Sequence, residues 1–206
     1  FSFKTNSKAV IPSTFFHHLP NAVSIYTQHT RLEVVDDETF SRNLALNSVH
    51  LDGSLKYVSP NAFLHNNKLT RLRVGWEFGQ TVSNHEMNLQ FLRSTLHLEG
   101  LSLYQVKITS FPPQIATLTN LRELEIRGSI TQIPDGALPP SLTEFQMRSP
   151  ILASISPNAI PSTVTTLVVE STWYNNPITC DDNGCTCPFE GQYNNRSCVP
   201  DCTRKH

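Results

Sequence analysis

The chain has 206 residues, a formal net charge of −1 and 38% hydrophobic residues. A chain of this length can bury a sizeable core, and its near-neutral charge gives no overall attraction to nucleic acid or to an anionic membrane. It contains no apolar run of about 18 residues, so we expect no membrane insertion within this segment. It begins at Phe1, inside a repeating pattern, which favours a mature product or a fragment of a longer precursor.

Residues 1–22 predict one partial structural unit, which begins near Phe1 and Phe3 and ends at Ile11-Pro12. Phe15-Phe16 is expected to fill its wide side. His17-His18 follows, but adjacent loop residues point apart and no third metal ligand is near in sequence. We therefore expect solvated histidines here and predict no metal site.

An apolar pattern then recurs at intervals of 21 to 29 residues, with predicted strand starts at Val23, Leu46, Leu69, Leu98, Leu121, Leu142 and Val164. The clearest copy places Leu121, Leu124 and Ile126 at positions one, four and six. Glu123 and Glu125 alternate with them, which predicts a short strand with one buried face and both glutamates exposed. One copy cannot bury its own apolar face, so the pattern predicts a solenoid of parallel strands.

Two loops hold matching aromatic residues, Phe40 and Phe63, which are expected to fill the wide side of the solenoid. The repeat at 69–97 is about six residues longer than its neighbours. Its Met87, Leu89 and Phe91 are compatible with a short helix. Such an insertion is either a tolerated surface loop or part of a binding site.

Residues 98–175 are the most regular part of the pattern, and their prolines fall between the predicted strands, where no ladder donor is lost. Strands joined by proline-rich connections predict a parallel β structure with little helix. The acidic clusters Asp36-Asp37-Glu38 and Asp181-Asp182 are expected to be a solvated face and a turn rather than cation sites.

The cysteines are absent from 1–179 and fall together near the C-terminus, at Cys180, Cys185, Cys187, Cys198 and Cys202. Clustering in a segment with little apolar bulk favours disulfides and an oxidising compartment over the alternative, a zinc site. Asn195-Arg196-Ser197 is an N-glycosylation sequon, which points to the same compartment.

The stretch from Phe111 to Ile126 resembles the leucine-rich repeat family, and residues 160–169 look like its FNIP-type variant. The family usually carries a laddering asparagine at the ninth repeat position, and this chain departs from that pattern with Ser54, Glu77, Ser129 and Pro150. The resemblance implies a mainly β, right-handed solenoid over 1–175, a parallel-sheet horseshoe.

Residues 176–206 form a separate cysteine-rich segment. Asn176 to Asp181 looks like the entry to a leucine-rich-repeat C-terminal cap, and Gly184 to Cys198 is similar to the second half of an EGF-like module. That likeness implies a disulfide-bonded state for Cys187 and Cys198. An EGF-like module needs six cysteines and five are present, so the pairing stays open.

No nucleotide-binding, hydrolase or metalloprotease motif occurs, so we predict a non-enzyme without cofactor or metal. The resemblance implies an extracellular recognition or adhesion module, such as a receptor ectodomain, that binds a protein ligand or itself. The alternative is a structural building block of an extracellular coat or filament.

The predicted binding surface is the concave sheet, on which a middle row runs through Thr27, His50 and Arg73. Arg and Tyr are favoured interface anchors, although Glu123, Glu125 and Arg127 can also pair with one another. The candidate contact residues are Arg71, Arg73, Trp76, Tyr104, Glu125, Arg127 and Arg148.

Overall fold

The computed structural model describes residues 2–4, 11–30, 32–53, 55–75, 86–104 and 107–170. Eight strands of this part of the chain form one wholly parallel sheet in the order β1-β2-β4-β6-β7-β8-β10-β12, and two small parallel pairs, β3-β5 and β9-β11, lie apart from it. The strands are β1 Ser2–Lys4, β2 Ser24–Thr30, β3 Val34–Val35, β4 Ser48–Gly53, β5 Tyr57–Val58, β6 Arg71–Gly75, β7 Gly100–Tyr104, β8 Glu123–Arg127, β9 Gln132–Ile133, β10 Glu144–Arg148, β11 Ser154–Ile155 and β12 Thr166–Glu170.

The main sheet is a stack of repeats in which equivalent residues lie side by side. Leu72, Leu101, Leu124 and Phe145 are register partners on successive strands, and all are buried. Because side chains alternate along a strand, one face of the sheet lines the core and the other points away from it. The latter is called the open face below.

The register predicted around Leu121 is confirmed on its apolar side, since Leu121, Ile126, Ile130 and Ile133 are each 0% exposed. Glu123 is exposed, as predicted, but the expectation of an exposed Glu125 is wrong. Its side chain is only 20% exposed because a tyrosine and an arginine of the open face cover it.

The first repeat starts one residue earlier than predicted. Ile25 pairs with Val49, so Ala22 rather than Val23 takes the start position, and Val23 is 56% exposed. As a result Thr27 is fully buried, and Tyr26 is the partner of His50 in the middle row. The Thr27 hydroxyl is satisfied inside, because it donates to the carbonyl of His50 at 3.3 Å.

The wide side of the solenoid is built from turns and short 3-10 helices at Ser13–His18, Gln90–Ser94 and Pro113–Thr117. The second of these lies where a short helix was predicted in the long repeat. Four buried rings run through this side, with centroids 5.2 Å apart from Phe16 to Phe40, 5.5 Å from Phe40 to Phe63 and 6.2 Å from Phe63 to Phe91. Phe40 and Phe63 therefore fill the wide side, as predicted.

Two buried asparagines tie the wide side together. Asn66 Nδ2 donates to the carbonyls of Phe40 and Asn43, at 3.2 and 2.9 Å. Asn43 Nδ2 donates in the same way to the carbonyls of Phe16 and Leu19. A laddering asparagine is thus present three residues before the repeat start, not at the ninth position where the family usually carries it.

Candidate functional site

Six of the seven predicted contact residues lie on the open face, on four strands from β6 to β10. The seventh, Trp76, lies outside the described residues, as do the five cysteines and Asn195. The open face therefore brings together side chains that are up to 77 positions apart in sequence (71 to 148).

Tyr104 is the centre of this face. The guanidinium carbon of Arg73 lies 4.2 Å from its ring centroid, and that of Arg127 lies 4.5 Å away. The two arginines come from β6 and β8, the strands that flank β7. Cations over an aromatic face are attracted by the ring quadrupole, so both contacts hold the tyrosine in place.

Glu125 completes the cluster. It accepts a hydrogen bond from the Tyr104 hydroxyl and another from Arg127 Nε at 2.9 Å. Burial raises the pKa of Tyr104, and the hydrogen bond and negative charge of Glu125 raise it further, whereas Arg73 and Arg127 oppose the shift. The phenol therefore stays protonated and keeps donating to the carboxylate. The cluster of Arg73, Tyr104, Glu125 and Arg127 is called the tyrosine cluster below.

Gly75 makes room for this cluster. A Cβ at this position would lie 2.6 Å from Tyr104 Cβ and 2.7 Å from the Tyr104 carbonyl oxygen. No larger residue fits without moving the neighbouring strand. Gly75 was not among the predicted site residues, since a lone glycine in a strand gives no sign of what approaches it.

Three arginines of the face, including Arg73 of the tyrosine cluster, also lie beside a carboxylate outside that cluster. Arg71 bonds Glu123 at 3.1 Å, and Arg148 Nη2 bonds Glu170 Oε1 at 3.0 Å. Arg73 Nε lies 3.5 Å from Asp52 Oδ1, in an ion pair without hydrogen-bond geometry. Of the predicted pairing among Glu123, Glu125 and Arg127, the pair of Arg127 with Glu125 occurs, but within strand β8 rather than across strands, and Glu123 pairs with Arg71 instead. Asp52 and Glu170 were not among the predicted contacts.

His50 borders the tyrosine cluster on β4. Its ring packs edge-on against Tyr26, with centroids 4.4 Å apart. Burial lowers the pKa of His50, and the positive charge of Arg73 lowers it further. The histidine is thereby favoured in its neutral form.

A shallow hollow of about 100 Å³ lies beside the cluster, above Gly100 and Ser102, and its wall includes Glu123, Glu125 and Glu144. A second hollow of about 330 Å³ lies on the wide side between 86–89 and 108–114. The first is open to solvent and continuous with the open face, so it forms a shallow depression in that surface.

The acidic cluster at 36–38 has a structural role in the turn. Asp36 Oδ1 accepts hydrogen bonds from the backbone N–H of Glu38 at 3.1 Å and from Thr39 Oγ1 at 2.8 Å. Asp37 accepts from Asn61 Nδ2 at 3.3 Å and from the Ser59 hydroxyl. In the part of the chain that the structure describes, no group of three or more His, Cys, Asp or Glu is arranged to hold a metal ion. The helices of that part are all too short or too polar to cross a membrane.

In the described residues, parallel strands stacked in register and connected by turns and 3-10 helices define a leucine-rich-repeat solenoid. The crystal structure of the TLR13–ssRNA13 complex has a similar fold, with a TM-score of 0.62 and 20% sequence identity. The match covers 78% of this chain and 22% of that chain, so the present chain spans only a small part of the length of its neighbour. No family model and no curated protein matches the chain.

Proposed function

We propose that the chain is a non-enzymatic recognition module that binds a protein ligand on its open face. The tyrosine cluster carries this proposal. It presents an aromatic ring and two guanidinium groups on a rigid parallel sheet, and these are the groups most enriched at interface centres. Side chains already held in one conformation lose little entropy on binding.

The charges of the open face favour a protein over a nucleic acid. Its arginines Arg71, Arg73, Arg127 and Arg148 all have carboxylate partners, and Glu144 is a further carboxylate on the same face. Nucleic-acid binding depends on basic side chains that can neutralise phosphates, and here they are already neutralised. The structural neighbour was crystallised with single-stranded RNA, so this ligand class belongs in the test.

We also propose an extracellular location, on the strength of the five clustered cysteines and the Asn195 sequon. Cys187 and Cys198 are then disulfide-bonded, within an EGF-like or capping segment over 176–206. Non-reducing peptide mapping of the secreted chain tests this proposal. Free thiols throughout, or zinc detected by elemental analysis, would contradict it.

The open-face proposal is tested by panning the whole chain against a displayed library of protein domains and measuring the Kd of each hit. The double variant Arg73→Glu/Arg127→Glu removes both guanidinium contacts to Tyr104. We expect it to weaken true ligands at least about tenfold, since buried charged anchors are worth about 2–5 kcal/mol. Arg122→Glu is the matched control, because Arg122 is an exposed arginine that lies outside the tyrosine cluster.

A single-stranded RNA oligonucleotide forms the second arm of the experiment. We expect that the RNA does not bind through Arg73 and Arg127, so Arg73→Glu/Arg127→Glu should leave any RNA binding unchanged. Protein hits that bind Arg73→Glu/Arg127→Glu as tightly as they bind the Arg122→Glu control would place recognition outside the tyrosine cluster. RNA binding that falls steeply with salt and is lost in the double variant would replace the protein ligand with a nucleic acid.

A further inference from the structure

From β4 to β12 the open face has one more carboxylate than it has arginines. Each of its arginines lies within 4.0 Å of a carboxylate. The pairs are Arg71 with Glu123, Arg73 with Asp52, Arg127 with Glu125, and Arg148 with Glu170. Glu144 is the fifth carboxylate. It is exposed, and among the described residues no cation lies within 4.0 Å of it.

The neighbours of Glu144 in the sheet do not compensate its charge. Its register partners are Glu123 on β8 and Thr166 on β12. Like charges on adjacent strands repel each other. Arg71, which pairs with Glu123, lies on β6 and so on the far side of that glutamate from Glu144. A cation supplied from outside the chain would relieve the repulsion between the two carboxylates.

The hollow beside the tyrosine cluster adjoins Glu144. It forms because β7 contributes Gly100, which has no side chain, and the short Ser102. The side chains of its wall are Glu123, Glu125, Glu144 and Gln146. Arg71 bonds Oε1 of Glu123, whereas Oε2 of the same carboxylate lies over Gly100, 3.6 Å from where a Cβ would be. Carboxylate oxygens only accept hydrogen bonds, so this wall favours a donor that carries a positive charge.

The size of the hollow restricts what can occupy it. Its volume is about 100 Å³, whereas pockets for small molecules usually have about 300–1,000 Å³. It therefore admits a single side chain of a larger partner rather than a whole ligand molecule. A metal ion fits poorly, because no group of three or more metal-ligating side chains is suitably arranged in the part of the chain that the structure describes.

We propose that the hollow receives an arginine side chain of the protein ligand, which forms an ion pair with Glu144. The assignment rests on the proposed function and states what the ligand must present beside the tyrosine cluster. A guanidinium group carries five donors in one plane and can bond two acceptors at once. Glu123 Oε2 and the Glu144 carboxylate supply acceptors from two adjacent strands. The ammonium group of a lysine is a point charge and matches this arrangement less well.

The first test uses the full chain and the panned protein hits that no longer bind Arg73→Glu/Arg127→Glu. Glu144→Lys should weaken these hits at least about tenfold, because it places a like charge beside the ligand arginine. Glu99→Lys is the matched control, since Glu99 is exposed and does not line the hollow. It should change the Kd by less than about twofold. Hits that bind Glu144→Lys as tightly as Glu99→Lys would overturn the proposal.

A charge swap identifies the arginine of the ligand. Each arginine of a hit is changed to glutamate in turn, and the Kd of each ligand variant is measured against the wild-type chain and against Glu144→Lys. One of these ligand variants should bind Glu144→Lys more tightly than it binds the wild type, because the swap restores the ion pair. Hits in which no arginine shows this reversal would overturn the proposal. Glu144 is exposed, so Glu144→Lys should fold normally, as checked by circular dichroism.

A second probe needs no protein ligand. Nα-acetyl-arginine methylamide is titrated into the full chain to about 100 mM, because a single surface ion pair is weak, and the neutral citrulline analogue is the control. The backbone amide resonances of Gly100 and Ser102 should shift with the arginine probe, less so in Glu144→Gln, and not with citrulline. Equal shifts with both probes would overturn the proposal.

The two tests separate failure of the hollow from failure of the proposed function. If protein hits depend on the tyrosine cluster but the arginine and citrulline probes act alike, only the arginine assignment is wrong. If the arginine probe acts as expected and no hit depends on the tyrosine cluster, the proposed function fails and the guanidinium site in the hollow stands. Calcium chloride is the last arm. Shifts of the same amides at about 1 mM Ca²⁺, lost in Glu144→Gln, would assign the hollow to a metal ion instead.

Discussion

The guanidinium group of Arg71 on β6 and the carboxylate of Glu123 on β8 meet 3.1 Å apart, across the intervening strand β7. The residue between them in the sheet is Gly100, and a Cβ there would contact Arg71 Cγ at 3.5 Å and Glu123 Oε2 at 3.6 Å. The pair therefore lies over the one position on β7 that has no side chain. This arrangement joins three turns of the solenoid at its surface.

The Arg71–Glu123 pair is predicted to add little stability. Both side chains are half exposed or more, at 59% and 50%, and exposed ion pairs are worth at most about 1 kcal/mol. Glu123→Gln should change the free energy of unfolding by less than about 0.5 kcal/mol. Leu124→Ala, one residue along and buried, should cost about 2–5 kcal/mol. Urea denaturation measures both, and equal losses would contradict the inward direction of Leu124.

The two strand glycines of the open face should respond differently to alanine. Gly75→Ala forces a Cβ to within 2.6 Å of Tyr104 Cβ and 2.7 Å of its carbonyl oxygen, so overpacking should cost about 1–3 kcal/mol. Gly100→Ala meets only ordinary contacts at 3.5 Å and beyond. It should be neutral or slightly stabilising, because alanine restricts the unfolded chain. Thermal unfolding of the two variants compares them directly, and a tolerant Gly75 would contradict the close approach of β6 and β7.

The apolar period in the sequence predicts the stacked strands because leucines every 21 to 29 residues can be buried only by neighbouring copies. It does not predict the first register, because Val23 is the more hydrophobic candidate and yet Ala22 takes the start position. Thr27 is tolerated inside since its hydroxyl finds a backbone carbonyl, which no periodicity in the sequence reveals.

The candidate site, like the fold, was predicted only in part from the sequence. Strand alternation places Arg73, Tyr104 and Arg127 on one face. Their contacts depend on side-chain conformations and on the missing side chain of Gly75, which only the three-dimensional structure defines. The repeated Phe-x-x-Asn pattern at Phe40–Asn43 and Phe63–Asn66 is a signal for the ladder in the sequence itself. A comparison at the ninth repeat position overlooks it, because the ladder of this chain uses a different position.

The asparagine ladder is predicted to be important for stability. Asn66→Ala removes the amide group whose Nδ2 donates to the backbone carbonyls of Phe40 and Asn43, and each of these carbonyls then loses a hydrogen bond in a buried site. The expected cost is about 1–3 kcal/mol. The neighbouring Asn67 is exposed, so Asn67→Ala is the matched control and should cost less than about 0.5 kcal/mol. Chemical denaturation decides the comparison, and similar values for the two variants would show that the ladder contributes nothing.

His50 should make folding stability sensitive to mild acid. It packs against Tyr26 of β2, faces Arg73 of β6 and shares its strand with Asp52. Burial first, and then the charge of Arg73, lowers its pKa below the usual value of 6.5. The unfolded chain therefore binds this proton more readily than the folded chain does.

The sign of the effect follows from that difference. Above the unfolded pKa both states carry a neutral imidazole and the stabilisation is fully present. As the pH falls from about 6.5 through the lowered folded pKa, the unfolded state gains a proton and stability is lost. His50→Gln should lose less free energy of unfolding between about pH 7.5 and pH 5 than the wild type does, as measured by urea titrations at both values. Gln146→Ala, at an exposed side chain of the same sheet that does not titrate, is the matched control and should keep the wild-type slope. If His50→Gln loses as much free energy of unfolding between the two pH values as the wild type does, the half-buried His50 imidazole is not the group that makes folding stability depend on pH.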